Sequence, residues 1–436
     1  MNSKKILKNA SWIIGLQIAK SLIGVIISMI TARYLGPSNF GLINYAASVV
    51  AFFTPVMTLG LGGILVQEII NSPEKEGEIL GTAITMSFVS SLLCVCGVIA
   101  FTSIANHGER ETVIVCALYS ILLVFQSVEM IVYWFQAKLL SKYSSIVSLI
   151  AYGVVSLYKI YLLVTGKGVR WFAVSNAFDY MIISVLLLII YCKLSDNKLS
   201  FSWNTAKKMF LKSKYYIIAN MMVIIYSETD KIMLKLMLNN TVTGYYSAAV
   251  RCASITAFVF SAIIDSFRPI IFDAKKNNEA LYELNLRRLY GLIIYMSLAQ
   301  SICISLFSGL IIFILYGPEY EPAVNALRII VWYTTFSYLG SVRNIWILAE
   351  EKQKYLWVIN LAGASANVVM NLIMIPSMGI AGAALASLIT QIFTNVIMGF
   401  VLKQIRENNR IMYRSLNPKL MISTIKAFCE RSVNND

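Results

Sequence analysis

An all-α polytopic membrane protein, with about twelve transmembrane helices in two six-helix lobes, is the fold class this sequence predicts. Three observations predict it. Of 436 residues, 58% are apolar and only 14% are charged, against about 25% charged in a soluble domain. The charges gather in short polar breaks, and the stretches between them run to about 20 residues or more, the length of helix that crosses a bilayer core. Lys and Arg accumulate on every second break, the asymmetry of a chain that crosses a membrane repeatedly.

The apolar runs place spans at 12–32, 41–66, 79–105, 112–135, 143–165 and 171–192. A basic stretch follows, with Lys193, Lys198, Lys207, Lys208, Lys212 and Lys214, and six further runs cover 214–238, 244–272, 287–315, 322–347, 355–375 and 378–402. The domain organisation is therefore an N-terminal six-helix lobe over 1–192, a basic linker over 193–213, a C-terminal six-helix lobe over 214–402 and a basic tail over 403–436. The segment 214–238 carries the weakest signal, because Glu228, Asp230, Lys231 and Lys235 interrupt it. The first run is too long for a removable signal and lacks a small-residue cleavage site, so it reads as a retained span.

With the N-terminus cytoplasmic, 25 of the 37 basic residues fall in cytoplasmic segments and only Arg33, Arg110, Lys167 and Arg170 in external loops. The other eight lie within spans. This orientation places both termini in the cytoplasm. The net charge of +15 is spread over these loops rather than along one polar face, which argues against nucleic acid as a partner. His107 is the single histidine and no CxxC occurs among the seven cysteines, so no metal site and no cofactor is expected. Cys94 and Cys96 stand two apart and should point to different helix faces. External loops of a handful of residues leave no room for a catalytic domain, so the chain is not expected to be an enzyme. In the tail, Leu420, Met421, Ile425 and Phe428 recur at helical spacing beside Lys419, Lys426 and Arg431. They suit either an interfacial helix on anionic lipid or a loosely ordered tail, and truncation after Glu407 is expected to leave transport intact.

An internal echo supports the two-lobe build. Gly41-Leu42-Ile43-Asn44-Tyr45-Ala46-Ala47 opens the second span, and Gly244-Tyr245-Tyr246-Ser247-Ala248-Ala249 opens the eighth, six spans later and in the same direction. Parallel repeats of this kind are a known transporter plan, with the substrate site between the halves.

Several stretches, in order along nearly the whole chain, resemble the polysaccharide flippases, the Wzx-type branch of the superfamily that includes multidrug extruders (MATE) and lipid II flippases. They are Arg33-Tyr34-Leu35-Gly36-Pro37 with Phe40-Gly41, Phe135-Gln136-Ala137 before Lys142-Tyr143, and Asp230-Lys231-Ile232-Met233-Leu234 leading to Gly244-Tyr245-Tyr246. Tyr316-Gly317-Pro318-Glu319-Tyr320 and the set Asn360, Gly363, Asn367, Asn371, Pro376, Gly379, Gly382 and Gln391 complete them. The resemblance implies a flippase for undecaprenyl-diphosphate-linked oligosaccharide repeat units, such as those of O-antigen or capsule, in the bacterial cytoplasmic (inner) membrane. It also implies membrane lipids as surroundings, and a polysaccharide polymerase and chain-length regulator as partners.

Intramembrane charge is the other lead. A Lys or Arg at the bilayer centre costs about 2.5–3.5 kcal/mol, so such residues face a wet cavity or a partner. The eight are Lys20, Lys159, Lys231, Lys235, Arg251, Arg268, Arg328 and Arg343. Lys235, Arg268 and Arg343 lie near span ends and can snorkel, whereas Lys20 and Arg251 lie about two turns inside. Lys20, Arg251, Lys231, Lys159 and the interfacial Arg33 are the candidate seats for a diphosphate, which such cations bind by charge-assisted hydrogen bonds. Asp230, Glu129, Asp179 and Asp265 are the candidate coupling or ion-pair carboxylates. Asp265 has Arg268 three residues away, and Glu129 and Asp179 lack a basic neighbour within their own spans. Two other functions stay open: a cation-coupled multidrug or metabolite antiporter, for which acidic rather than basic cavities would be expected, and a membrane-embedded polysaccharide polymerase. Reporter fusions test the topology: those at Asn106 and Asn239 should read external and one at Asn197 cytoplasmic, and an external signal at Asn197 would break the six-plus-six scheme.

Overall fold

A computed structural model describes residues 3–195 and 197–417, with side chains from residue 20 onward except 21 and 22. All regular structure among the described residues is helical. In chain order the helices are α1 (Ser3–Met57), α2 (Gly62–Asn71), α3 (Glu76–Ala105), α4 (Arg110–Ser120), α5 (Leu122–Val128), α6 (Ile131–Ala137), α7 (Ser141–Val164), α8 (Val169–Leu194) and α9 (Trp203–Met237). There follow α10 (Asn240–Ala253), α11 (Ala257–Asn277), α12 (Glu279–Leu306), α13 (Ser308–Tyr316), α14 (Ala323–Ala349), α15 (Leu356–Ile392), α16 (Met398–Val401) and α17 (Arg406–Arg414).

Seven stretches among the described residues are long and apolar enough to cross a membrane, and α10 with α11 form an eighth bent by 46°. Two of the seven, Ile23–Asn71 and Gln353–Val401, run to 49 residues each. At 1.5 Å per residue each is about twice the hydrocarbon thickness, so each holds two spans. With α9 and α14, long helices that are less apolar, the spans among the described residues come to about twelve, consistent with the expectation. The chain is a multi-pass membrane protein.

Both double spans turn at a glycine the sequence marks. Gly36 (φ 70, ψ 170) breaks α1 directly before Pro37, and Gly379 (φ 57, ψ −129) breaks α15 three residues after Pro376. Only a residue without a Cβ takes such angles without strain. The turns therefore need no loop, and the helix resumes at once.

By packing, the chain divides into two compact units, Met1–Ser247 and Ala248–Asp436. In the first unit, Tyr45, Val49, Val98, Cys116, Leu123 and Ala173 form one buried cluster. Leu61, Leu65, Leu80, Trp134, Tyr191 and Met209 form another. Met209 belongs to α9, so the seventh span packs with this unit, as does the opening of α10. Cys94 is buried and Cys96 exposed, as their spacing requires. In the second unit the core gathers Phe260, Tyr290, Val342, Trp346, Ile359 and Ile411. Phe260 and Tyr338 stack there with ring centroids 4.1 Å apart.

Residues 403–417 pack on that second core through Ile405, Ile411 and Met412. Asn408 and Asn409 of α17 are buried. Tyr290 donates to Asn408 Oδ1 at 2.8 Å, and Asn409 donates to the Val396 carbonyl at 2.8 Å. Leu420, Met421, Ile425 and Phe428 lie outside the described residues. Truncation after Glu407 should therefore not be silent. It leaves the buried Tyr290 hydroxyl without its acceptor, a loss of about 1–3 kcal/mol, and strips Ile411 and Met412 from the core. Thermal denaturation of the purified protein in detergent should show a clearly lowered midpoint.

Candidate functional site

The first unit holds a polar cluster at span depth, assembled from four elements. Lys20 on α1 lies over the Tyr152 ring of α7, 5.3 Å from its centroid. Two turns further along α7, Lys159 donates to Asn176 Oδ1 on α8 at 3.1 Å. Asp179 follows Asn176 by three residues and so shares its helix face. Glu129 sits at the break between α5 and α6. Lys20 is within electrostatic reach of both Glu129 and Asp179, and Lys159 within reach of Asp179. The carboxylates that lack basic neighbours along the chain thus acquire them across it. Asp179 Oδ1 and Gln126 Oε1, one turn before Glu129, are buried acceptors with no hydrogen-bond donor among the described residues. A cluster with spare acceptors can take up a proton or a small cation.

A second set lines α9. Lys231 pairs with Glu228 at 2.8 Å, three residues back, and Ser48 of α1 donates to the same Glu228 oxygen at 2.6 Å. Asp230, which sequence proximity would give to Lys231, is buried and accepts from the Tyr246 hydroxyl at 2.5 Å. Lys235 does not snorkel. It is buried and bound to both Glu109 oxygens, at 2.8 and 2.7 Å. Glu109 lies in the loop between α3 and α4. Burial alone would raise its carboxyl, but the hydrogen bonds from Lys235 and Thr112 outweigh that and hold it below the usual carboxylate range. A carboxyl so depressed keeps the pair intact at neutral pH, and the pair is lost only as pH falls through that lowered value.

Beside this pair two backbones meet. A Cβ on Gly41 would collide with the Asn240 carbonyl, and one on Gly244 with the Pro37 carbonyl. The two segments that echo each other in sequence are therefore the two that touch. Glycine at both positions permits backbone contact between α1 and α10 that no other residue allows.

The remaining candidates stand apart. Arg33 is exposed on α1, three residues before the Gly36 break. Arg251 is exposed on α10, without an ion pair among the described residues. Asp265 and Arg268 pair locally at 3.0 Å, both about half exposed. Three further groups lie outside the set of candidate site residues. Glu68 on α2 is buried and binds Lys208 at 3.0 Å together with Lys212. Arg343, expected to snorkel, is buried and donates to the Thr394 carbonyl at 2.6 Å. Lys235–Glu109 is the third. No local sequence pattern signals any of these three pairings, whose partners stand 51 to 144 residues apart along the chain. A cleft of about 610 Å³ beside Phe272 and Leu348 is lined by Lys275 and Glu350, which already pair with each other at 2.7 Å.

Residues 6–275 match the polysaccharide biosynthesis protein family, more than half of the chain. The chain belongs to that family. This family member is 29% identical over 248 residues to an uncharacterized membrane protein of Methanocaldococcus jannaschii, an alignment covering 52% of this chain and 47% of that relative. The match thus spans about half the length of the relative. Among solved structures, the fold is similar to the lipid II flippase MurJ in an inward closed conformation. The TM-score is 0.70 at 14% identity, covering 94% of this chain and 92% of that one. It is also similar to a multidrug resistance MATE family transporter of the MOP superfamily in an inward-facing conformation. There the TM-score is 0.61 at 13% identity, covering 92% and 95%. At such identities the likeness is one of fold. The resemblance read from the motifs is borne out at the level of family and fold.

The Gly41–Gly244 contact and the Glu109–Lys235 pair lie at the same end of α9 and should report on one another. With Glu109→Cys and Lys235→Cys joined by a short bis-maleimide, the protein should cross-link efficiently. Adding Gly244→Ala, which pushes Pro37 away, should reduce the yield several-fold. An unchanged yield would show that the glycine contact does not set the separation of these two residues.

Proposed function

We propose that this protein is a flippase that carries undecaprenyl-diphosphate-linked oligosaccharide repeat units across the cytoplasmic membrane by alternating access. The observation that carries this reading is the set of cations held at span depth in a member of the polysaccharide biosynthesis family: Lys20 and Lys159 inside the first unit, and Arg251 exposed on α10. A diphosphate is a compact anion, and Lys and Arg at that depth lower its barrier by charge-assisted hydrogen bonds. The polyprenyl tail stays in lipid while the head group and sugars pass through the protein.

In this reading the moving bodies are the six-helix lobes 1–192 and 214–402, joined by the linker 193–213. The Glu109–Lys235 pair and the Gly41–Gly244 contact join the two lobes at the end that the Lys and Arg asymmetry assigns to the outside. They would close the transporter there and have to part for release. Arg33, beside the Gly36 turn at that same end, meets the diphosphate as it leaves. Lys231 is the further cation of the pathway, with Asp230 orienting its surroundings through Tyr246. Glu129 and Asp179 are the coupling carboxylates: they titrate or bind a cation beside Lys20 and Lys159, and Asp265 serves Arg268 locally. A polysaccharide polymerase and chain-length regulator act on the delivered unit. Cation-coupled export of drugs or metabolites is the second reading, favoured by the spare acceptors at Asp179 and Gln126.

Complementation of a flippase-deficient strain tests the proposal. Lys20→Ala and Arg251→Ala should each insert normally yet reduce glycan export by roughly tenfold or more, the scale of losing one charged hydrogen bond. Arg251→Lys should retain part of the activity if a point charge suffices. If Lys20 serves only to neutralise its carboxylate neighbours, adding Glu129→Gln to Lys20→Ala restores export. Normal export by both alanine variants would exclude the cationic path.

A further inference from the structure

The opening half of α9 carries two faces of opposite character. Ala206, Met209 and Ser213 are buried against the first unit. Lys208 and Lys212, at the margin of that face, are bound to the buried Glu68. On the other side, Trp203, Lys207, Phe210, Leu211 and Lys214 recur at intervals of three and four residues and form one continuous stripe. All five are exposed, Trp203 to 73% and Leu211 to 52%. Phe201, exposed just before the helix, extends the stripe.

The position of this stripe along the membrane normal follows from length. α9 has 35 residues, about 52 Å of helix, whereas about 20 residues cross the hydrocarbon. About fifteen residues are left over. They lie at the opening of the helix, where Glu76 pairs with Lys138 at 2.6 Å and Glu68 holds its two lysines. Charged groups gather there because the segment has left the hydrocarbon for the head-group layer. The connection before α9 is fastened at the same level. Ser200 donates its backbone N–H to the Gly77 carbonyl at 3.3 Å, and Ser202 its N–H to Thr82 Oγ1 at 3.0 Å. The stripe is thus presented by a fixed scaffold.

We infer that this stripe is a binding surface for anionic phospholipid head groups of the adjacent leaflet. Trp203, Phe210 and Leu211 enter the boundary between head groups and acyl chains, while Lys207 and Lys214 meet lipid phosphate. Aromatic and aliphatic side chains interleaved with lysines are what that layer selects. The charge is complementary on one side only, since the stripe carries no carboxylate and the neighbouring Glu68 and Glu78 are turned to Lys208, Lys212 and Thr205. The inference does not depend on what the protein transports.

The test uses the full chain in nanodiscs of phosphatidylcholine alone or of equal parts phosphatidylcholine and phosphatidylglycerol. Native mass spectrometry counts the phosphatidylglycerol retained, and thermal denaturation reads stabilisation by it. The wild type should retain phosphatidylglycerol, and increasingly less of it as ionic strength rises. Lys207→Gln with Lys214→Gln should weaken retention roughly thirty-fold, from about fivefold per lysine near a charged surface. That variant should also lose the thermal shift, while Lys207→Arg with Lys214→Arg keeps both. Lys208→Gln with Lys212→Gln, which removes the lysines held by Glu68, should retain phosphatidylglycerol as the wild type does. Undiminished retention by the Lys207/Lys214 glutamine variant would overturn the inference. So would equal loss from both glutamine variants, which would indicate diffuse surface charge rather than this stripe.

Discussion

Holding an ion inside hydrocarbon costs about 2.5–3.5 kcal/mol for a lysine, arginine or aspartate at the centre of a lone helix, and the packing of this protein is organised around meeting that cost. In the first unit charges at span depth find counterparts on other segments, Lys20 near Glu129 and Asp179, Lys159 on Asn176 and Lys235 on Glu109 of the α3–α4 loop, while Lys231 pairs with Glu228 on its own helix. A pair that closes between distant segments does more than neutralise charge. It fixes which helices are neighbours, because removing either partner strands the other in a medium that cannot solvate it. The ion pairs therefore act as registration marks on helices whose apolar surfaces would tolerate many alternative packings, lipid tails being as apolar as leucine.

The glycines set how closely that registered packing can approach. At Gly36 and Gly379 they supply a positive φ, so a span can end and the next begin with no connecting loop. At Gly41, Gly244, Gly77 and Gly81 they remove a side chain where another backbone passes. Ser200 sits against Gly81 and Lys198 against Gly77, which turns the basic linker from a loose connection into a strap laid on α3. The consequence is mechanical. α9 is held to the first unit at one end by Glu68 and at the other by Glu109 and Ser48, so contacts along its whole length must be exchanged if it is to move.

The span count, the Gly36-Pro37 turn and the opposed faces of Cys94 and Cys96 were legible in the sequence, because each depends on local periodicity or on a residue with one conformational purpose, whereas Gly379, read as a packing position, proves to be a second turn. The polar network was legible only in its membership. Lys20, Lys159, Glu129 and Asp179 announced themselves as costly residues, but their grouping depends on helix neighbours that no local signal encodes. Lys235 and Arg343 were misread for the same reason. Their nearness to span ends suggested an escape to water, whereas a carboxylate 126 residues away meets one and a backbone carbonyl meets the other. The packing of α17 was not legible, because nothing local ties Asn408 to Tyr290 or Asn409 to the Val396 carbonyl.

The carbonyl that Arg343 takes belongs to a single π-turn, Phe393–Ile397, inserted in the twelfth span. Such a turn accommodates one residue more than an α-turn, so everything after it is rotated by about 100° relative to an unbroken helix. The inward stripe runs through Ala383, Ser387, Gln391, Asn395 and Gly399 in steps of four, a series that would drift by about 160° around an unbroken α-helix. The span thus behaves like a periodic signal with a phase slip. A pattern of inward and lipid-facing positions established on its first half, if continued unchanged, assigns the second half to the wrong side. Asn395, lodged between Gln391 and Gly340, and Gly399, against Asn409, face protein because of that one added residue.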